Sequence, residues 1–303
     1  MRLVLQIPAV VRMIRKHQPR AIFSAGNQTN LSLAIARKLA GQTRTKIIQK
    51  ITNPVLRPDF SKWVKIYRTW RFGFSARLGD MSLTLSTADA EKYAQIYLYA
   101  ASKFHSVPNP YVTPEMLSSG EIRIARDREK PTRLLVVGRI APQKGYLTLL
   151  SALALIADRP WSMTILGDGP LLEDVKLRAK KLGLAERIEF WGFVADAIPY
   201  FTQSNILVLS SRWEGFPAVV LEAMATGCAV VATDCSEGLT RMMHQIGQET
   251  VPVQNPEALA KAIANEIDSP QPIEPLRTCA RAYSIENSVD QHLKLLEQVC
   301  QIS

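Results

Sequence analysis

Two glutamates, Glu214 and Glu222, lie eight residues apart in RWEGFPAVVLEAMATGCAVVAT (212–233), separated by a Gly-Phe-Pro turn. An ionised carboxylate only accepts hydrogen bonds, so each of these acids suits hydroxyl groups, and vicinal sugar hydroxyls best of all. Pro217 suits the first position of a helix, where a missing N–H costs nothing. The N–H groups of Ala218 and Val219 would then point out of the helix start, a place that favours an anion. Glu222 would stand roughly 7.5 Å further along the axis. A polyol, an anion and a second polyol can therefore be held in that order by Glu222, the helix start and Glu214.

GRIAPQKG (138–145) contributes the opposite charge. Arg139 and Lys144 flank a loop that opens at Gly138, and two cations of this kind hold a diphosphate and stabilise the charge that grows on it when a bond to it breaks. The order GxxxxGK[ST] of a Walker loop is absent.

These residues need a scaffold that gathers loops on one rim. From residue 131 onward, short apolar runs alternate with segments of helical periodicity. The strands are TRLLVVG, WSMTILG, RIEFWG, NILVLSS and CAVVAT, and the helices between them include YLTLLSALALIAD, PLLEDVKLRAKKLGL, DAIPYFTQS, AVVLEAMATG and PEALAKAIANEID. That alternation predicts βαβ units in a doubly wound parallel sheet. Ligands of such sheets bind outside the carboxyl ends of the strands. Gly138-Arg139, Gly167-Asp168-Gly169, Gly192-Phe193, Arg212–Gly215 and Thr233-Asp234 all fall there. Asp168 reads as a turn residue.

The first 130 residues follow the same plan less completely. Helices are expected over VVRMIRKHQP, NLSLAIARKLAG and ADAEKYAQIY, strands over RAIFSAG, RTKIIQKIT and MSLTLST. Ser24-Ala25-Gly26-Asn27 and Ser86-Thr87 take the strand-end places, with Gly26 and Asn27 as candidates to line the acceptor side of a cleft. The intervening stretch 54–80 is basic and aromatic with a helical tail. Its Trp63, Tyr67, Trp70, Phe72 and Phe74 beside Lys and Arg read either as a partly packed helix or as an interfacial surface. DREKP (127–131) is the expected linker, so domains of 1–128 and 131–303 are predicted.

Composition sets the remaining limits. Of 303 residues, 47% are apolar and 21% charged, which is globular rather than disordered. Residues 1–130 carry 22 Lys and Arg against 8 Asp and Glu, and the rest carry 15 against 19, so the net charge of +10 comes from the first half. A basic half points to a phosphorylated substrate, anionic lipid or nucleic acid, and no nucleic-acid-binding motif is present. The opening twenty residues hold a proline and no small-residue cleavage site, against a signal peptide. Cys228, Cys235, Cys279 and Cys300 form no CxxC pair, which favours free thiols in a cytoplasmic setting, and His17, His105, His244 and His292 show no metal spacing.

The series VVGRIAPQKG, LGDGPLLEDVKLRAKKLGLAERIEFWGFV, LVLSSRWEGFPAVVLEAMATGCAVVATD and YSIENSVDQHLKLLEQ resembles the retaining GT-B glycosyltransferases of the glycosyltransferase 4 group (glycosyl transferases group 1) across residues 131–303. Their E-x7-E element is matched at Glu214 and Glu222. The resemblance implies two Rossmann-like domains facing across a cleft and a nucleotide-diphosphate sugar, UDP- or GDP-linked, as donor. It implies Glu222 on the donor ribose, Glu214 on the transferred sugar, and Arg139 and Lys144 on the diphosphate. Backbone at Phe216, Pro217 and Ala218 would meet the sugar phosphate, and Gly192, Phe193 and Val194 would lie near the base. No metal cofactor is implied. The acceptor would be lipid-linked or a saccharide, with the enzyme in the cytoplasm or at the inner face of an anionic membrane. RMIRKHQPRAIFSAGNQTNLSLAIARKLA resembles the middle of the family's acceptor domain, whose opening strand and glycine-rich loop have no counterpart in the sequence. A histidine common at the end of the strand KIIQKITN is also absent. The final helix is expected to pack back on the N-terminal domain.

Other readings compete. A glycosidase or epimerase would use the two acids in direct chemistry and has no need of paired cations. A shortened, inactive transferase or a nucleotide-sugar binding protein would keep the ligand site without turnover.

Overall fold

A computed structural model of the chain describes residues 6–24, 26–41, 44–57, 59–121 and 130–301. It divides into two compact units. One comprises residues 1–109 and 286–303, the other 110–285.

Among the described residues the second unit is built on a five-stranded, all-parallel sheet in the order β7-β6-β5-β8-β9. Its strands are β5 (Thr132–Val137), β6 (Trp161–Leu166), β7 (Ile188–Gly192), β8 (Ile206–Leu209) and β9 (Ala229–Ala232). In chain order this is 3-2-1-4-5, so the direction of winding reverses between β5 and β8. Both β8 and β9 are buried at every position, as strands covered on both faces must be, and their sequences are accordingly unbroken apolar runs. Between β5 and β6 lies α6 (Tyr146–Leu155), and α7 (Leu172–Lys181) follows β6. A later helix, α11 (Pro256–Asp268), starts with Asn255 accepting from the Ala258 N–H at 2.9 Å and with Pro256 at its first position. Leu149, Leu150 and Leu153 of α6, Val175 of α7 and Leu259 and Ile263 of α11 join the strand side chains Leu134, Val136, Met163, Ile165 and Val208 in one core.

Two further helices, α8 (Ile198–Gln203) and α9 (Ala218–Ala225), complete the crossovers around β8. Pro217 stands one place earlier than expected, capping α9 with extended backbone rather than opening it. Helix α10 (Glu237–Gln245) and helix α12 (Glu274–Arg281), both without a strand after them, were not anticipated from periodicity.

The boundary between units falls at Asn109/Pro110, whereas composition placed it at 128–131. Residues 122–129, which include most of that expected linker, lie outside the described residues. Helix α5 (Pro114–Glu121) belongs to the second unit because Gly120 lets its backbone approach α9: a Cβ at Gly120 would stand 2.5 Å from the Ala225 carbonyl oxygen. Arg277 of α12 also donates to the Leu117 carbonyl at 3.2 Å.

Among the described residues the first unit holds four parallel strands in sequential order, β1 (Ala21–Ser24), β2 (Lys46–Lys50), β3 (Met81–Thr84) and β4 (Phe104–Ser106). Its helices are α1 (Ile7–His17), α2 (Asn30–Ala40), α3 (Lys62–Leu78) and α4 (Thr87–Ile96), with a 3-10 turn over Leu98–Lys103. The chain returns to this unit through α13 (Ile285–Gln301), whose Leu295, Leu296 and Val299 pack on Ile48, Met81, Leu83 and Val107. A second core forms around Phe72 of α3, with Tyr93, Tyr97 and Phe104 at ring separations of 5.3–6.3 Å.

Candidate functional site

The reversal of winding between β5 and β8 opens a crevice at the carboxyl ends of those two strands. The loops that leave them, Gly138–Gly145 and Ser210–Pro217, carry both acids and both cations singled out in the sequence, apart from Glu222, which lies on the helix that follows. Glycine is required where the loops meet. Gly145 has φ +67°, and a Cβ there would sit 2.0 Å from the Ser210 carbonyl oxygen. Gly167, with φ +141°, is as tightly placed against the Gly138 carbonyl. Both positions combine a left-handed backbone with contact that only glycine permits.

Glu214 is the hub of this junction. Its carboxylate receives Lys144 Nζ at 2.8 Å, the Ser211 hydroxyl at 2.8 Å and Gln143 Nε2 at 3.1 Å. The same Gln143 amide donates to the Trp213 carbonyl at 2.9 Å, while its own carbonyl accepts from Arg212 N–H at 2.7 Å. Ser210 Oγ donates to the Lys144 carbonyl at 2.8 Å. The two loops are thus latched by four hydrogen bonds and one ion pair, with the Ser211 bond to Glu214 bracing the second loop internally. Cys235, whose carbonyl accepts from the Glu214 N–H, is buried beside it, and burial followed by the Glu214 charge pushes its thiol up to about 12. That thiol stays protonated and unreactive.

Glu222 contrasts with Glu214. It sits on the second turn of α9, largely desolvated, and burial raises its pKa above the ordinary glutamate value. Among the described residues its carboxylate has no hydrogen-bond or ion-pair partner. The N–H groups of Ala218 and Val219 at the start of the same helix likewise find no acceptor there. Arg139 is exposed at the top of β5 and makes no ion pair among the described residues. A half-buried acceptor, free helix-start donors and an uncommitted guanidinium are the groups a sugar–diphosphate–ribose ligand would use.

The remaining predicted residues divide. Phe216 is buried and stacks on Tyr283 at 5.6 Å, so its side chain anchors the loop while its backbone stays at the rim. Gly138 faces Lys144, whose Cε would be 3.1 Å from a Cβ at that position. Gly192 has φ +70° and opens a loop on which Phe193 is 84% exposed and Val194 half-buried. Trp191 beside it meets Tyr200 edge-on at 5.6 Å. Asp168 caps its own turn, accepting from the Gly169 N–H at 2.6 Å. Pro217, as the cap of α9, sets the exit of the Ala218 and Val219 N–H groups.

Gly26 and Asn27 belong to the first unit. The Gly26 carbonyl accepts from Thr29 and Asn30, and Asn27 bridges to the next strand-end loop, donating to the Asn53 carbonyl at 2.8 Å and accepting from Thr52 N–H at 3.2 Å. Ala25 lies outside the described residues. At the end of β2, where the resembled family carries a histidine, Lys50 Nζ instead meets His292 of α13 at 2.8 Å. His292 Nδ1 lies 2.7 Å from the Ser288 carbonyl and so donates to it, which leaves Nε2 as the acceptor of the lysine proton. Burial lowers the Lys50 pKa to about 8. Gln143 and Ser211, which hold Glu214, escaped sequence reading because neither residue type is distinctive outside its loop. No group of three His, Cys, Asp or Glu residues among the described ones could hold a metal ion.

The family model described as glycosyl transferases group 1 matches residues 131–269. An uncharacterized glycosyltransferase of Haemophilus influenzae is 30% identical over 165 residues, covering 52% of this chain and 47% of that protein. The N-acetylgalactosamine-N,N'-diacetylbacillosaminyl-diphospho-undecaprenol 4-alpha-N-acetylgalactosaminyltransferase of Campylobacter jejuni is 24% identical over 212 residues, covering 70% of this chain and 57% of that protein. The chain therefore spans about half the length of the curated relatives it matches. The crystal structure of Anabaena HepE in complex with UDP superposes with a TM-score of 0.76 at 19% identity, covering 96% of this chain and 82% of that one. The two parallel-sheet units have the fold of the GT-B glycosyltransferases, and residues 131–269 match the family model of the glycosyl transferases group 1.

Proposed function

We propose that the protein moves a sugar from a nucleotide-diphosphate sugar, a UDP- or GDP-hexose, to a lipid-linked or saccharide acceptor, with retention at the anomeric carbon, in the synthesis of a cell-surface glycan. The observation that carries this reading is the half-buried, unpartnered Glu222 carboxylate on the same helix as the Ala218 and Val219 N–H groups, which find no acceptor among the described residues. Such a carboxylate is costly unless hydroxyls satisfy it, and vicinal ribose hydroxyls fit.

In this reading the diphosphate lies between the α9 start and Arg139. Lys144 reaches it from its present partner Glu214, which then accepts from hydroxyls of the transferred sugar. The base rests near Gly192–Val194. Charge builds on the diphosphate as its bond to the sugar breaks, and Arg139, Lys144 and the helix start stabilise that charge without a metal. The acceptor hydroxyl attacks from the face the phosphate leaves, passing its proton to the departing phosphate oxygen. No protein nucleophile is assigned.

The setting we assign is the cytoplasm, at the inner face of a membrane. No helix among the described residues is long and apolar enough to cross a bilayer, so the contact would be peripheral. The C. jejuni relative's acceptor, named as a diphospho-undecaprenol, supports a lipid-linked acceptor here.

Isothermal titration with UDP and GDP tests the assignment. Glu222→Ala is expected to weaken nucleotide binding by at least about tenfold, the value of one or two hydrogen bonds to a charged group. Arg139→Ala should weaken it and lower turnover as well. Unchanged binding in both variants would end the reading.

A further inference from the structure

Helix α3 of the first unit carries Lys62, Lys65, Arg68, Arg71 and Arg77 and no acidic residue. Two of these cations, Arg68 and Arg71, are three residues apart and share a helix face. With Phe72 and Ser75 of the same face, Asn27, Leu31 and Val55 they line a small depression that is open to solvent. Neither arginine has a carboxylate partner among the described residues. Arg68 donates to the Val55 carbonyl at 2.8 Å, and Arg71 to the Gln28 carbonyl at 3.1 Å. Each guanidinium has five N–H donors, so most of this capacity is open to the depression or to water. Burial, then repulsion by Arg57 and Arg71, lowers the Arg68 pKa, which marks like charges gathered together. Phe60 packs under the group, with Arg57 and Arg68 at 4.2 and 4.7 Å from its ring centre.

The neighbouring stripe of the same helix has a different character. Trp63, Tyr67, Trp70 and Phe74 recur at spacings of four, three and four and are 79%, 59%, 64% and 41% exposed. Trp70 and Phe74 stack on each other at 5.9 Å rather than on the core. Rotating 100° per residue, Arg71 falls between this stripe and the depression. Tryptophan and tyrosine beside lysine and arginine form the surface that seats at the boundary between hydrocarbon and headgroups.

The geometry points to an anion subsite on α3 that takes the phosphate or diphosphate of a lipid-tailed ester, with Arg68 and Arg71 on the phosphate oxygens and the hydrocarbon on the Trp63–Phe74 stripe. Paired arginines match phosphate oxygens in planar, bidentate fashion, and the aromatic stripe gives the tail a surface continuous with that site. The inference deepens the transferase reading, since a molecule of this class is the acceptor which that reading calls for. It stands on residues of the first unit alone.

Farnesyl diphosphate in phosphatidylcholine vesicles is the probe, with tryptophan fluorescence of the intact protein as readout and UDP saturating the second unit. The wild-type protein should bind these vesicles well above vesicles carrying farnesol. Arg71→Gln, which gives up one exposed bond to Gln28, should keep its Tm and lose about tenfold in affinity. Arg68→Gln should lose at least as much, read beside its Tm because Arg68 also packs on Phe60. Trp70→Ser should remove the advantage of farnesyl diphosphate over inorganic diphosphate. Equal binding by wild type and Arg71→Gln would overturn the proposal, as would equal binding of farnesol vesicles or a preference for inorganic diphosphate. If Arg139→Ala lowers farnesyl diphosphate binding and Arg71→Gln does not, the probe occupies the second unit; the proposal then falls while the transferase reading stands. If UDP fails to bind but the Arg71→Gln effect holds, the reverse is true.

Discussion

The two units use parallel sheets of similar construction in unlike ways. In the second, the strand order 3-2-1-4-5 reverses between β5 and β8, and the polar residues collect in the loops at that reversal. They are bound to each other: Glu214 alone receives Lys144, Ser211 and Gln143. In the first, the four described strands run in sequence without a reversal. Its strand-end loops are tied up by Asn27, while Arg68 and Arg71, without a carboxylate partner among the described residues, sit on the side of α3. Where topology supplies a crevice, backbone turns and short loops can hold ligand groups in fixed positions. Where it does not, a helix face must supply both the charge and the surface, and it stays exposed when unliganded.

The contrast predicts that substitutions in the second unit act on stability and binding together, while those on the exposed α3 face act on binding alone. The largest effect is expected at Gly145. Alanine there meets both a φ of +67° and the Ser210 carbonyl at 2.0 Å, so Gly145→Ala should destabilise by roughly 3 kcal/mol and abolish nucleotide binding. Thermal unfolding with and without UDP measures both. A variant with unaltered Tm would show that the two loops are not in contact as described.

An intermediate effect, of opposite sign for stability, is expected at Glu222. Its pKa is raised in the folded protein, so the unfolded chain releases this proton at a lower pH than the folded one. Folding therefore loses stability as pH rises from the ordinary glutamate value through the raised one, and the cost stays in full above both. Glu222→Gln removes that cost. It should raise the Tm near neutral pH, show no gain once the pH is below the ordinary glutamate value, and weaken nucleotide binding throughout. A pH series of melting curves for both proteins separates this from a general packing change, which would shift the Tm equally at every pH.

The smallest effect is expected at Trp63, which is 79% exposed. Trp63→Ser should alter stability by no more than about 0.5 kcal/mol. A loss of 2 kcal/mol or more, read from urea unfolding, would mean that the side chain is packed and that the α3 face is not a free surface.

These residues also show why part of the molecule was readable from sequence. The strands β5 to β9 are short, largely apolar runs, the first three ended by glycine, and they alternate with segments of helical length, so local pattern and global fold agree. Glu214, Arg139 and Lys144 could be placed at one rim because each lies in a loop that leaves such a run, and Glu222 because it lies on the helix that follows one of those loops. What escaped was decided by long-range contact. The boundary at Asn109/Pro110 depends on Gly120 fitting against Ala225, more than a hundred residues away in sequence. Pro217 was expected to open α9 and instead caps it, because the loop before it is held by Phe216 against Tyr283. The Lys50–His292 pair joins the second strand to the last helix and leaves no trace in either local sequence. The aromatic and basic residues of α3 could be read from sequence as one helix, yet only the fold showed that Phe72 is buried while Trp63, Tyr67, Trp70 and Phe74 are exposed.

A crystal structure with bound UDP tests the central claim most directly. The ribose hydroxyls are predicted on the Glu222 carboxylate and the terminal phosphate on the Ala218 and Val219 N–H groups, with Arg139 Nη at hydrogen-bond distance from a phosphate oxygen. Nucleotide found away from the ends of β5 and β8, with Glu222 still unpartnered, would contradict it.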